Sequence, residues 1–409
     1  LAFRVSLFLA DSAPAWFWHV TLTNTGAGAE TVDLVYAQDL AIADYGAVRL
    51  NEYYVSHYVD HTQLLHPRKG WVVASRQNLS VGGRNPLTVI GALAGGVSYA
   101  TDALQVYGLA NRSGSGPLVL TQELSGCHLQ HEHSMVAIQD GAVELMPGAV
   151  AERGFFGWFE EHHPAASSDA DLVFVDRALA LLEAAPEAET DESLTASASP
   201  SLFSSAPALE SLELSDEETG GLFVGERHDE EYEDGRLLSF FTGTNQHVVL
   251  KAKELQVLRP HGHIMRTGSS LTPDETALTS TSWMAGVFHS MVTQGHVNIN
   301  RFLSTMHSYL RLLCANGQRI FVELEDEWRL LDVPSAFSME PNGCRWIYKH
   351  SSGMIEVRSS APAESHVLTL AVEVLSGEPI RFLISNHVAI NGDDGSTAVP
   401  VKCEESHEG

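Results

Sequence analysis

Residues 259 to 296 read RPHGHIMRTGSSLTPDETALTSTSWMAGVFHSMVTQGH. His261, His263, His289, His296 and, just beyond, His307 are interleaved there with Arg259, Arg266, Trp283, Gln294 and a run of Thr and Ser. The mixture is too polar for a core and too poor in Lys, Glu and Pro for a disordered linker. Imidazoles, hydroxyls, an amide, guanidinium groups and an indole plane suit a polyhydroxylated ligand. Sugar hydroxyls need donors and acceptors in fixed positions, and an apolar sugar face needs a ring to lie on. His261, His263, Arg266, Trp283, His289, Gln294 and His296 are therefore the candidate substrate-binding residues. The same residues could instead form a hydrogen-bonded network that pins loops, and composition alone leaves both readings open. His261 and His263 fall on one face of a strand, but no HExxH pattern accompanies them, so no metal or other cofactor is expected. Thr272-Pro273-Asp274-Glu275 has the order of a capping box opening a short helix rather than of a catalytic carboxylate.

Smaller clusters read more blandly. Glu160-Glu161-His162-His163 looks like a solvated strand end, and His131 and His133 share a face of a half-exposed strand. In NEYYVSHYVDH, strand alternation puts Tyr54, Ser56, Tyr58 and Asp60 on one face and Tyr53, Val55, His57 and Val59 on the other. A tyrosine face could stack sugar rings, and core packing plus an edge is the commoner use. NGDDG (Asn391 to Gly395) lacks the twelve-residue spacing of a calcium loop and reads as a turn. No GxxxxGKS, GxGxxG or GxSxG motif has the proper flanks.

The elements that must position these residues are strands. From Phe3 to about Phe159 short β-like runs alternate with turn signals such as NTGAGAE, GGRN and NRSGSG. In AWFWHVTLTNT, Trp16, Trp18, Val20 and Leu22 fall on one face, and Phe17, His19, Thr21 and Thr23 on the other. The runs NEYYVSHYV and SYATDALQVYG read as strands, and VELMPGAVAERGFFGWFEEH closes the region with a turn at Pro147–Gly148. From Leu237 the pattern resumes in HVVLKAKELQV, QRIFVELEDEWRLL, CRWIYKHSSGMIEVRSS, HVLTLAVEVLSG and PIRFLISNHVAI. The expected fold class is all-β: a large antiparallel β-sandwich, as one super-sandwich or two packed sandwiches, interrupted by an acidic insertion. The expected boundaries are 1–165 for the first part, 166–236 for the insertion and 237–409 for the second part. Between Asp169 and Arg236 stand nineteen Asp or Glu against three Arg, a balance of −16. Together with its Ser, Ala and Pro content, that predicts a flexible insertion with one helix at Asp171 to Ala185.

Several long blocks, in order, are similar to the amino-terminal region of large glucan phosphorylases of glycoside hydrolase family 94, those acting on β-1,2-glucans in particular. They are NEYYVSHYVDHT, RQN, SYATDALQVYGL, LQHEHSMVAIQ, RPHGHIMRTG, LTPDE, WMAGVFHSMVTQGH, GQRIFVELE and NGCRWIYKH, within roughly residues 49 to 162 and 237 to 392. The carboxy-terminal half of cyclic β-1,2-glucan synthases is a related resemblance. Such enzymes cleave a β-glucosidic bond with inorganic phosphate as co-substrate, invert the anomeric centre and give α-glucose 1-phosphate. Their general acid lies in an (α/α)6 barrel downstream of the sandwich, and this sequence has no long series of paired amphipathic helices. The resemblance therefore implies a non-catalytic amino-terminal part that helps shape a substrate channel. Its partners would be a β-glucan oligosaccharide, the helical barrel missing here and a second copy in a homodimer. A stand-alone carbohydrate-binding or scaffolding sandwich is the alternative. No catalytic residue can be assigned.

Composition narrows the setting. The chain has 409 residues, 44% of them apolar, enough for a large core. A formal charge of −28 repels phosphate backbones and anionic lipid, so neither nucleic acid nor a membrane is an expected partner. Cys127, Cys314, Cys344 and Cys403 form no CxxC pair and fit free thiols in a reducing cytoplasm. The first residues alternate as a strand would, not as a secretory signal. A start without Met, inside that strand pattern, is expected of a piece of a longer protein or an incomplete reading frame.

Overall fold

A computed structural model of the chain describes residues 1–44, 47–48, 54–109, 111, 116–129, 133–185, 201–272, 275–295, 301–304 and 316–389. It divides into two units, Leu1–Ala196 and Ser197–Gly409. Both are all-β, as the alternating runs predict.

In the first unit the strands are β1 (Ala2–Leu9), β2 (Ala15–Thr23), β3 (Glu30–Val32), β4 (Val35–Asp39), β5 (Val59–His66), β6 (Gly70–Gln77), β7 (Leu87–Ala92), β8 (Gly96–Asp102), β9 (Ser134–Asp140), β10 (Val143–Leu145) and β11 (Val150–Glu160). An antiparallel layer runs β1-β2-β11-β7-β6-β5, and a second layer runs β8-β9-β4. One parallel bridge, Gly70 to Gly96, joins the layers. Only glycine fits that seam. A Cβ on Gly70, at φ +63°, would lie 2.1 Å from the Gly96 carbonyl oxygen, and one on Gly96 would lie 2.3 Å from that of Trp71.

The face alternation read in AWFWHVTLTNT holds, but both faces are covered. Trp16 and Trp18 pack with Val73, Ile90, Ile138 and Phe155 between the layers. Phe17 packs on the other side with Phe156 and the buried Phe174, Val175 and Ala178. Those last three belong to a helix. Among the described residues we label the α-helices α1 (Ala103–Tyr107), α2 (Leu172–Leu179), α3 (Leu202–Ser205), α4 (Asp216–Leu222) and α5 (Lys251–Gln256).

Three strand expectations end early. The SYATDALQVYG strand stops at Asp102, whose side chain accepts from the Leu104 backbone N–H and, with Gln105, forms a capping box that opens α1. Residues 54–56 are helical, so Tyr54 and Tyr58 meet across one turn, ring centroids 5.2 Å apart, rather than by strand alternation. HVVLKAKELQV is strand only to Leu250 and continues as α5.

In the second unit the strands are β12 (Arg227–Glu233), β13 (Arg236–Thr242), β14 (Gln246–Leu250), β15 (Gly262–Arg266), β16 (Leu278–Trp283), β17 (Val287–Gln294), β18 (Gln318–Leu324), β19 (Glu327–Leu330), β20 (Ala336–Glu340), β21 (Gly343–His350), β22 (Gly353–Ser360), β23 (Thr369–Ser376) and β24 (Arg381–Asn386). A seven-stranded sheet, β12-β13-β14-β20-β21-β22-β23, faces two three-stranded sheets, β15-β16-β17 and β19-β18-β24. The core between them holds Met265, Phe288, Ile320, Phe337, Trp346 and Tyr348, all at 0–1% exposure. Each large side chain so buried stabilises by roughly 1.5–3 kcal/mol. Tight hairpins set the register, as at Glu325–Asp326, where φ is +54° and +64° between β18 and β19.

The insertion does not stand apart as the composition predicted. Residues 172–179 form α2 and pack in the first unit, and β12 begins the second unit's sheet at Arg227. The described residues 201–223 dock on the second unit. Leu209 enters its core, the Leu209 N–H donates to the Leu330 carbonyl at 2.8 Å and the Ser211 hydroxyl donates to the Val333 carbonyl at 2.8 Å. Phe223 covers the outer face of the sheet with Phe240, Val248 and Ile347, and Lys349 holds Glu218 of α4 at 2.8 Å. Apolar residues spaced among Ser and Glu were enough to bury one side while the acidic groups stayed in water. Residues 186–200, the middle of the expected insertion, lie outside the described residues.

Candidate functional site

Five of the candidate residues, His263, Arg266, Trp283, His289 and Gln294, sit on strands of the sheet β15-β16-β17. Pairing sets Gly262 opposite Trp283, His263 opposite Ser282, Met265 opposite Ser280 and Arg266 opposite Thr279. Period-two alternation then divides them. His263, Met265, Ser280 and Ser282 share the side that meets the core, whereas Ile264 and Arg266 share the other, where Ile264 is exposed.

His289 is interior, at 4% exposure. Its Nε2 lies 3.3 Å from the Thr369 carbonyl oxygen and its Nδ1 2.9 Å from the Ser280 hydroxyl. A carbonyl only accepts, so Nε2 carries the proton and Nδ1 accepts from Ser280. Burial pushes the His289 pKa down, outweighing the Thr369 carbonyl. His289 is therefore a neutral strut between two sheets.

His261 precedes β15. Its backbone N–H and its Nδ1 both lie on one carboxylate oxygen of Glu254 from α5, at 3.0 and 2.7 Å, and that glutamate is fully buried. The pair points Nε2 away from the protein acceptor. Arg266 donates to the Ser270 carbonyl and Gln294 donates to the Glu275 carbonyl at 2.7 Å, so both tie loops at the sheet's end. His366 accepts or donates at the Thr267 and Thr276 hydroxyls, both at 3.1 Å, next to them.

Three buried side-chain atoms of the stretch are left over. The Nε2 of His263, the indole Nε1 of Trp283 and the hydroxyl of Thr293 have no hydrogen-bond partner among the described residues. Leaving such a group unpaired costs about 1–3 kcal/mol, so each is open to a ligand hydroxyl or a water. The Trp283 ring lies over Gly262, where an added Cβ would stand 2.7 Å from it, and its carbonyl accepts from Trp346 Nε1 at 3.1 Å.

The structure thus sets Trp283 on the face it shares with Ile264 and Arg266 and His263 on the opposite, core-facing side, while His289 and Gln294 are spent on structure. His296, His307, Pro273–Asp274 of the expected capping box, His131 and the NGDDG turn lie outside the described residues. Glu160 to His163 is structural where it can be seen. His163 Nε2 meets Asp171 at 2.8 Å and its Nδ1 meets the Ala165 carbonyl at 2.8 Å. Among the described residues no group of three or more His, Cys, Asp or Glu is placed to hold a metal ion, and no helix is long and apolar enough to cross a membrane. Cys127 and Cys344 are free thiols, and burial raises the Cys344 pKa far above its ordinary value.

Sequence reasoning missed the carboxylate of Glu254 and the charged row Arg345–Glu356–Arg358. Glu356 is 1% exposed and held by Arg345 at 2.6 Å and by Arg358 at 2.9 Å. Alternating charges in the strands CRWIYKH and GMIEVRSS were the available signal.

Residues 1–157 match the SOGP N-terminal domain and residues 224–408 match the glycoside phosphorylase supersandwich domain. The chain belongs to this glycoside phosphorylase family. A 1,2-beta-oligoglucan phosphorylase of Listeria innocua serovar 6a is 31% identical over 398 residues, 97% of this chain and 35% of that protein. The chain thus spans about a third of that relative's length. Among solved structures, a polysaccharide lyase aligns with 92% of the chain and 34% of its own at 6% identity, with a TM-score of 0.26, too low to bear on the fold. The supersandwich match covers the three sheets of the second unit and begins just after the docked residues 201–223.

Proposed function

We propose that this chain is the amino-terminal, non-catalytic part of an inverting β-glucan phosphorylase, of β-1,2-oligoglucan specificity, that yields α-glucose 1-phosphate. The observation that carries the reading is the 31% identity, sustained over 97% of the chain, to a protein named for that activity. The general acid that such a reaction needs belongs, in the family this chain resembles, to a helical barrel, whereas the described residues here are strands with α-helices of four to eight residues. The role left to this part is to shape the substrate channel. Trp283 would offer its ring and its unpartnered indole nitrogen to a glucan unit on the face it shares with Arg266. Its free thiols suit a reducing cytoplasm.

The test uses β-1,2-glucooligosaccharides with inorganic phosphate. The full-length polypeptide should release α-glucose 1-phosphate, and the 409-residue chain alone should not. Release by the chain alone would overturn the non-catalytic assignment, and no release by the full-length polypeptide would overturn the phosphorylase reading. Trp283→Ala in the full-length polypeptide should weaken glucan use by roughly tenfold, since one hydrogen bond and a ring contact are lost.

A further inference from the structure

A hollow of about 500 Å3 opens on the outer face of the seven-stranded sheet, away from β15-β16-β17. Two cross-strand rows form its floor: Ser338, Arg345 and Arg358 in one, Glu340, Gly343 and Ser360 in the other. They continue the face that carries Phe240, Val248 and Ile347, at the point where the covering segment ends and its apolar residues give way to polar ones.

The lining is chemically specific. It offers the hydroxyls of Ser338, Ser360 and Thr369, the amide of Asn342, the carboxylate of Glu340 and the guanidinium of Arg358. Ser338 is only 1% exposed and its hydroxyl has no hydrogen-bond partner among the described residues, which leaves a donor unused at the floor. Arg358 directs Nε and Nη2 at Glu356, and its Nη1 has no protein acceptor among the described residues. Charge decides between ligand classes. Arg345 and Arg358 are matched by the buried Glu356, and by Glu373, 3.6 Å from Arg358; Glu340 adds a further negative charge. The balance is negative, so phosphate and other anions are disfavoured, while a neutral polyol finds donors and acceptors in alternation.

We propose that this hollow is a second glucan-binding position that takes one or two glucosyl residues of a neutral β-glucan chain, distinct from the residues at 261–294. Its volume falls within the range of small-molecule sites. The hydroxyl, amide and Arg358 Nη1 groups bind the sugar hydroxyls, and Glu340 accepts from them. The sugar's identity rests on the phosphorylase reading. Its hold is weak, because the hollow is open and offers no aromatic plane, and such a position serves to keep a long glucan near the enzyme between turnovers.

The probe is a β-1,2-linked glucopentaose titrated into the purified 409-residue chain and read by saturation-transfer NMR, with inorganic phosphate as a second arm. Saturable millimolar binding is expected, with no competition from phosphate. Two variants locate it. Ser338→Ala with Asn342→Ala removes a donor and an amide without stranding a partner, and Ala371→Met fills the hollow from an exposed position on β23. Both should weaken the pentaose at least tenfold while thermal unfolding stays unchanged. Equal affinity in the variants, displacement by phosphate or no saturable binding would each overturn the site. Phosphorolysis by the full-length polypeptide is read separately. Turnover without binding at the hollow sinks this position alone, and binding without turnover sinks the phosphorylase reading alone.

Discussion

Replacing His289 by Ala separates ligand contact from architecture. The native imidazole accepts from Ser280 at 2.9 Å and donates to the Thr369 carbonyl at 3.3 Å, in a site 4% exposed. The substitution strands both groups, at about 1–3 kcal/mol for a buried group, and leaves a ring-sized gap that the surrounding sheets close only in part. The Thr369 contact is long, so we take about 3 kcal/mol for the whole loss. For a unit of this size 1 kcal/mol moves the midpoint by roughly 2–4 °C, so the melting temperature should fall by roughly 6–12 °C. The pH dependence has a definite sign. The unfolded imidazole takes its proton near pH 6.5, and the folded one only below that, because burial lowers its pKa. Acid therefore favours the unfolded chain: stability is complete above pH 6.5 and declines as pH falls from there towards the folded pKa, by up to about 1.4 kcal/mol per pH unit for one proton. His247 and His350, also lowered by burial, add to the same slope. His289→Ala should lose its own share and keep theirs. Differential scanning calorimetry of both proteins from pH 5 to 8, a range of about three units around the unfolded value, measures midpoint and slope together. An unchanged midpoint, with poorer glucan use by the full-length polypeptide, would refute the strut and return His289 to the ligand.

Two further outcomes follow from buried groups outside that sheet. Burial raises the Glu356 carboxyl, but Arg358 and Arg345 outweigh it and hold the pKa below the ordinary 4.5; Glu356→Ala should cost about 3 kcal/mol, the low end for a broken buried pair because Arg358 is half exposed, and urea unfolding should show wild type losing that advantage as pH falls below 4.5 while the variant does not. Leu209→Asp places a charge in the second unit's core and should make residues 201–223 the first target of limited proteolysis, whereas wild type stays uncut there; early cleavage of wild type in 201–223 would restore the flexible-insertion reading.

The strands were legible because period-two burial is written directly into AWFWHVTLTNT or CRWIYKH, and a hairpin turn such as Glu325–Asp326 leaves the register little freedom. The ends of strands were less so. Asp102 and Lys251 stop a strand by starting a helix, and both follow residues that a strand would equally accept. The strap at 201–223 was hidden by its charge, since composition averages over a segment in which a few residues, Leu209 and Phe223 among them, are buried and the rest face water. The candidate residues were legible as chemistry but not as geometry. In VFHSMVTQGH strict alternation would set Ser290 and Thr293 on opposite faces. Yet Thr281 pairs with Ser290 and Thr279 pairs with Thr293, so two residues of β16 span three of β17, with Met291 at φ +45° in between. A second shift, between the Thr281–Ser290 and Trp283–Val287 pairs, brackets His289, so parity is reversed only between the two. His289 stays in the core there, and Gln294 donates to the Glu275 carbonyl. Which side of a sheet His289 faces is thus set by irregularities that nothing in its own side chain announces, and this is why polar composition could name as ligands two residues, His289 and Gln294, whose hydrogen bonds the fold uses for itself.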